Sequence, residues 1–477
     1  MSEASGRARE GVRALPRPGP ERVLACVGLA FGGLLLAITP PFQVPDEQVH
    51  FLRAFQVSEG GLVAEKREGR SGGFVPESLL SVSGRFMHLP FHPEARTTVG
   101  AILAAFSVPL DGSLRRFVGF ENTTVQTPVS YLPQSLGIRL GRALDLGPLA
   151  LLYLGRGANL LVSLLVLLLA IRAAPVFKWV FALLGSMPMA VFQMASVSAD
   201  ALTNAVALLW TAMILRLALS GSGVDARALA ALFAASLCLS LSKLAYSPLL
   251  LLFLAIPVSR LGGARHYFGV FAALAGLNAV ALGGWVWLMR DVYVPITWMG
   301  HVDPAAQLRF IAAHPLQFAG MLLDRFSGPG AGALWDLMVG RVLGWLDTPM
   351  PYAAVLSYQL VLIAAALVDS RSEIRVGARL KLLAFCVLVV GLATVGTMVY
   401  LQGHPVGASY LADIHGRYLI PLSPLPLLVL YNRTLRASLL ARFPREPVAR
   451  ACSAGLAAFL VFSSALTCFV LVRRYYL

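Results

Sequence analysis

Apolar residues gather into eleven runs separated by polar segments. The runs are Val23–Ile38 and then 149–171, 177–196, 200–219, 226–242, 245–258, 267–289, 352–368, 380–401, 418–431 and 451–472. A stretch of about 18 or more apolar residues with few charges reads as a membrane helix. The pattern predicts an all-α polytopic integral membrane protein with about eleven transmembrane helices. The runs 226–242 and 245–258 are short, and predict either one broken pair or helices that do not fully cross. Arg7, Arg9, Arg13, Arg17 and Arg22 precede the first run. A signal peptide can open this way, but Ile38-Thr39-Pro40-Pro41 is a poor small-residue cleavage site. The expectation is a retained first helix behind a basic cytoplasmic tail, residues 1–22, followed by one transmembrane domain over 23–477.

Orientation follows from Lys and Arg in the short loops. With the N-terminus in the cytoplasm, that side also holds Arg172–Lys178, Arg216–Arg227, Arg260–His266, Asp369–Lys381 and Asn432–Arg450. It carries 20 of the 39 basic residues and 7 of the 24 acidic ones, a net +13 against +2 on the other face. Arg473 and Arg474 are the one violation, because an eleven-span chain puts them outside. Two long segments, 39–148 and 290–351, then face outward, and the other connections are short. Loops of that length are usually functional or structured, and both contain amphipathic pieces. Any chemistry is therefore expected on the extracytoplasmic face.

Composition narrows the class. Only 13% of the 477 residues are charged and 57% are apolar, against about 25% charged in soluble proteins. That excludes an ordinary soluble enzyme, and disorder too. The net charge of +15 is a topology signal and implies no nucleic-acid partner. Cys26, Cys238, Cys386, Cys452 and Cys468 all lie in apolar runs, where a free Cys behaves as a small hydrophobe, and they form no disulfide framework.

The strongest local feature is Pro45-Asp46-Glu47-Gln48-Val49-His50-Phe51-Leu52-Arg53, just after the first run. A proline followed by two acids reads as a helix start. In that helix Asp46, His50 and Arg53 fall at i, i+4 and i+7, on one face. The plain reading is a charge-capped interfacial helix. The sharper reading is a polar cluster acting at the outer membrane surface, with the neighbouring Arg keeping the carboxylate ionised, as a general base requires. A second feature, Asp413-Ile414-His415-Gly416-Arg417-Tyr418-Leu419-Ile420-Pro421, stands where an outer loop enters a run carrying Pro421, Pro424 and Pro426. Prolines there break the backbone ladder, which is tolerated beside protein or a cavity. Arg417 and Tyr418 suit a phosphate or, equally, an interfacial anchor. Ser198 reads as an N-cap before Asp200, with Asn204 one turn later. Lys243, near Tyr246, lies between two short runs, where an unpaired charge is expensive; it needs a carboxylate or an anionic ligand. The histidines show no zinc-site spacing, and no phosphate-cradling glycine loop supports a nucleotide-driven pump.

Five segments, in order, resemble the signatures of a family of bacterial membrane proteins known as domain of unknown function 2142. They are Pro40–Gln56, Met187–Asp200, Ser242–Pro248, Gly340–Asp347 and Gly416–Pro421. The resemblance spans about residues 23–430. His415 departs from it, since Gln is expected before Gly-Arg-Tyr, and headgroup choice would differ if that side chain meets ligand. The family is grouped with the GT-C glycosyltransferases, multi-span enzymes that use polyprenyl-phosphate sugars. The resemblance implies a GT-C-like bundle in the bacterial cytoplasmic (inner) membrane. It implies transfer of a sugar from that donor to an envelope glycan, lipid or protein, by inverting direct displacement. Asp46 matches the superfamily's carboxylate after the first span, which acts as base or positions the acceptor, and Glu47 stands beside it. Arg417 and Lys243 would hold phosphate. His50, Arg53 and Tyr418 would orient substrate, with Asp200, Tyr246 and His415 in the same binding set. In a bacterial host the Asn122-Thr123-Thr124 sequon carries no weight. Some relatives use a divalent metal, Mg or Mn, with an acidic motif. Asp46-Glu47 is not a spaced Asp-x-Asp, so metal use stays open. Two other classes fit the topology: a transporter or lipid flippase, and a non-catalytic assembly protein of an envelope polysaccharide pathway.

Overall fold

A computed structural model of the chain describes residues 18–221, 223–295, 300–371, 373–442 and 445–477. Arg7, Arg9, Arg13 and Arg17 of the basic tail lie outside the described residues. Among the described residues six helices are long and apolar enough to cross a bilayer: Pro20–Ile38, Pro148–Ala173, Ala199–Leu219, Ala264–Met289, Ala378–Gly403 and Glu446–Tyr475. A 26-residue helix such as Pro148–Ala173 is about 39 Å long at about 1.5 Å per residue, ample for a hydrocarbon core of about 30 Å. The other five apolar runs are short or interrupted. Ala226–Ser242 and Tyr352–Val368 have 17 residues each. The run 177–196 divides into Lys178–Gly185 and Pro188–Met194. Leu244–Ala255 is a 3-10 helix containing Pro248. The run 418–431 becomes a 3-10 turn, Gly416–Leu422, and a short helix from Pro424. Proline supplies no backbone N–H and clashes with the preceding turn, which accounts for the breaks at Pro188 and Pro424.

Small residues let the long helices approach closely, as membrane packing favours. A Cβ on Gly28 or Gly32 of the first helix would lie 2.7 Å from Leu164 or Leu160 of Pro148–Ala173. At one end of the bundle the basic segments meet. Lys178 pairs with Glu21 at 2.7 Å. Asp369 caps the Lys178 helix through the Trp179 and Val180 amides, and Lys381 donates to the carbonyls of Val429 and Tyr431.

The opposite end carries the two long loops. Both contain helices, such as Glu47–Ser58 and Pro315–Ser327. The first also holds a three-stranded antiparallel sheet, Glu65–Arg67, Arg70–Pro76 and Arg115–Gly119, with Phe74 opposite Phe117. The all-α expectation lacked it, because strands this short and glycine-rich show no clear alternation. Gly72 lies so close to the next strand that a Cβ there would stand 1.8 Å from the Val118 carbonyl. The second loop ends in a small hairpin, Val342–Leu343 against Thr348–Pro349. Arg474, at the end of the last helix, is buried on this same side. It pairs with Asp347 at 2.8 Å and donates to the carbonyls of Leu89, His92 and Ala95. This cation is thus neutralised inside the protein and does not report on the membrane surface.

Candidate functional site

Asp46 is the N-cap of the helix Glu47–Ser58, in the left-handed region at φ 64°. An N-cap Asp ordinarily accepts from its own helix amides. Asp46 makes no such bond. Its carboxylate instead accepts from Asn122 at 3.4 Å and faces the Arg417 guanidinium at 3.6 Å. A non-glycine residue at positive φ that also forgoes its cap stores strain of the kind that collects at functional sites.

Asp200 lies in the first turn of Ala199–Leu219, behind the Ser198 cap, whose hydroxyl accepts from the Asp200 amide at 3.2 Å. One carboxylate oxygen accepts from Lys243 at 2.7 Å. The other accepts from Gln193 at 3.2 Å and lies 3.3 Å from Arg417 Nε. Gln193 is held in turn by Asn204. Lys243, at the junction of Ala226–Ser242 and the following 3-10 helix, has therefore found its carboxylate, and its ammonium lies 4.6 Å from the centre of the Tyr418 ring. Tyr246 donates to the Tyr418 carbonyl at 3.1 Å.

Arg417 sits between the two carboxylates, its side chain 13% exposed. Its Nε is buried without a hydrogen bond of ordinary geometry. Charge and the neighbouring Tyr418, whose ring centre lies 5.4 Å away, hold the guanidinium. Gly416 allows this placement: a Cβ there would stand 2.3 Å from the Met338 amide nitrogen. His415 packs edge-on against Tyr418, and burial, then the Arg417 charge, pushes its imidazole down to about 4. His50 Nδ1 lies 2.7 Å from the hydroxyl of the fully buried Tyr131, which donates to Gln126 Oε1 at 3.2 Å. Burial lowers the His50 pKa too, against the opposing pull of Asp46 and Asp200. His50, Asp200 and Arg417 line a cleft whose apolar wall includes Val44, Met189, Phe192, Val342 and Leu346.

Asp46, His50, Asp200, Lys243, Tyr246, His415, Arg417 and Tyr418 thus come together. Glu47 and Arg53 do not join them. Glu47 turns away from Asp46 into the protein, where both it and Arg156 are fully buried. It accepts two bonds from Arg156, at 2.6 and 2.8 Å, and one each from the amides of Phe42 and Val197. Four donors occupy that carboxylate, and no side of it is open to substrate. Arg53 shares a helix face with His50, but its long side chain runs toward the helix C-terminus. There it donates to Gln56 Oε1 and the carbonyls of Gly61 and Leu62, where the helix dipole favours a cation. The cation beside Asp46 is Arg417, more than 350 positions later. Sequence reading assigned no site role to Arg156, Tyr131, Gln126 or Gln193, and Asn122 stood out only as part of a sequon. Only Arg156 carried a clear signal, as a charge inside an apolar run, which demands a partner. As for a divalent ion, each carboxylate of the cluster already faces a cation. Among the described residues no three His, Cys, Asp or Glu side chains converge to hold a metal.

A family model described as a predicted membrane protein, domain of unknown function 2142, matches residues 29–426. The chain belongs to this family. No curated protein and no solved structure matches it. The eight clustered residues of this domain-of-unknown-function-2142 protein all lie inside the matched range, and Arg474 lies beyond it.

Proposed function

We propose that the protein is a GT-C-type membrane glycosyltransferase. It moves a sugar from a polyprenyl-phosphate donor to an envelope glycan, lipid or protein, on the extracytoplasmic face of the bacterial inner membrane. Arg417 carries this reading: a buried guanidinium suspended between two carboxylates, its Nε without a hydrogen bond, beside a cleft with an apolar wall. Guanidinium recognises phosphate through directed N–H bonds. The motif resemblance supports the same class.

A lipid phosphate is already a good leaving group. The site must neutralise the departing oxygen and orient the acceptor. Arg417 and Lys243 turn their N–H groups from Asp46 and Asp200 to the phosphate. Asp200, engaged by Lys243, Gln193 and Arg417, keeps the cations in place. Asp46, with a side chain 34% exposed, has room to accept a hydrogen bond from an acceptor group beside the attacking hydroxyl and so aim that hydroxyl at the anomeric carbon. Attack opposite the phosphate inverts that carbon.

The test uses protein in nanodiscs and a panel of radiolabelled polyprenyl-phosphate sugars. Donor binding should be saturable and lost in Arg417→Ala. Asp46→Asn should bind donor yet release no free polyprenyl phosphate. Unchanged affinity in Arg417→Ala removes Arg417 from the phosphate site. Absence of binding by well-folded protein across the panel overturns the reading in favour of a flippase or assembly protein.

A further inference from the structure

Transfer to a hydroxyl also releases a proton, and its destination is not set by the ion pairs. Asp46 and Asp200 both face Arg417, and Asp200 is bonded to Lys243 as well. His50 is the polar side chain that the first loop adds to the cleft lining. With the Tyr131 hydroxyl donating to Gln126 Oε1 at 3.2 Å, the 2.7 Å contact between the Tyr131 oxygen and His50 Nδ1 is filled by the Nδ1–H tautomer. In a neutral imidazole with Nδ1–H, the lone pair is on Nε2. Tyr131 is fully buried, so the ring's partner is built into the fold.

We infer that His50 is the proton acceptor of the proposed transfer, and that Tyr131, backed by Gln126, is the positioning residue that holds its Nε2 lone pair ready. The inference rests on the glycosyltransferase reading. As the acceptor oxygen bonds to the anomeric carbon, its hydrogen passes to Nε2. The carbon–oxygen bond to phosphate breaks, and its electron pair stays on the phosphate, which departs as a polyprenyl phosphate monoester. The imidazolium later gives its proton to water. The charged groups that act on this ring are Asp46 from its own helix, Asp200 from Ala199–Leu219, Lys243, and Arg417. The two carboxylates favour the imidazolium as it forms, and the two cations oppose it. Burial keeps the ring neutral in the resting protein, the form a base needs.

The experiment measures donor affinity and turnover against pH, in nanodiscs, for wild type, His50→Gln and Tyr131→Phe, with melting temperatures as a folding control. Wild-type turnover should show an acid limb below pH 6.5. His50→Gln should bind donor as wild type does, lose about a hundredfold or more in turnover and lose that limb. Tyr131→Phe removes the acceptor of the Nδ1 hydrogen. It should keep donor affinity, lower turnover and move the limb to lower pH, which a merely structural Tyr131 would not do. Wild-type turnover with an unchanged limb in either folded variant overturns the inference while leaving the transferase reading intact. Donor binding absent from wild type removes both.

Discussion

Glu47 and Arg156 form the most consequential buried contact outside the cleft. The pair ties together four segments: the Thr39–Phe42 turn, the start of the Glu47–Ser58 helix, the Pro148–Ala173 span and the Val197 loop. Asp46 is one residue from Glu47, and Asp200 is three from Val197, so this clamp sets the spacing of the two cleft carboxylates. Glu47→Ala strands the Arg156 guanidinium. Carbonyls of Leu36, Thr39 and Pro40 still accept from it, but none carries a full charge. Breaking a buried pair on one side costs about 3–5 kcal/mol, or about a thousandfold in the folding equilibrium. Glu47→Met with Arg156→Met removes both charges and should recover part of that loss, since the Phe42 and Val197 amides still lose their acceptor. Thermal unfolding in nanodiscs measures both. A Glu47→Ala protein that melts with wild type refutes the clamp. So does a double variant no more stable than the single one. The double variant should retain donor binding, whereas a catalytic Glu47 would leave it folded but without turnover.

Three further outcomes are expected. Gly416→Ala forces a methyl against the backbone of residues 334–338; it should cost about 1–3 kcal/mol and weaken donor binding by displacing Arg417, and unchanged affinity would refute that. His415 titrates at about 4 in the folded chain against about 6.5 unfolded. The unfolded state therefore binds more protons between these values. The stabilisation is complete above pH 6.5 and fades as pH falls toward 4, and His415→Gln should flatten that slope in melting curves. Arg474→Met leaves Asp347 buried and unpaired and should cost about 3–5 kcal/mol, whereas a melting temperature equal to wild type would show the pair to be inert.

The long spans were legible because hydropathy alone decides them. The 177–196 and 418–431 runs were read as single spans, and their prolines are where the helices part. The first-loop sheet was invisible, since its two ladders hold only three and five residue pairs and its middle strand is interrupted by Gly72 and Gly73. In the site, residue type and motif order brought out eight side chains that meet. They could not tell which of two adjacent acids turns inward. That choice belongs to Arg156, whose charge was noticeable in sequence but whose partner was not. Helical spacing likewise put Arg53 on the His50 face, but a side chain that long goes where carbonyls are, and those lie in a loop eight and nine residues away.

The contacts of Arg474 have a kinetic consequence. Its carbonyl partners lie 379 to 385 positions earlier in the chain, and Asp347 lies 127 earlier. Contacts of such separation return their energy only after the loop-closure entropy has been met. The Val342–Pro349 hairpin, which supplies Val342 and Leu346 to the cleft, is secured through Asp347. Trp345 ties it to the Phe42 carbonyl as well, but the Asp347 anchor forms only once the last helix has docked against the first loop. Before that moment the carboxylates and cations can already have met, but the wall beside them is loose. Closure of the cleft is a late folding event, coupled to assembly of the whole bundle.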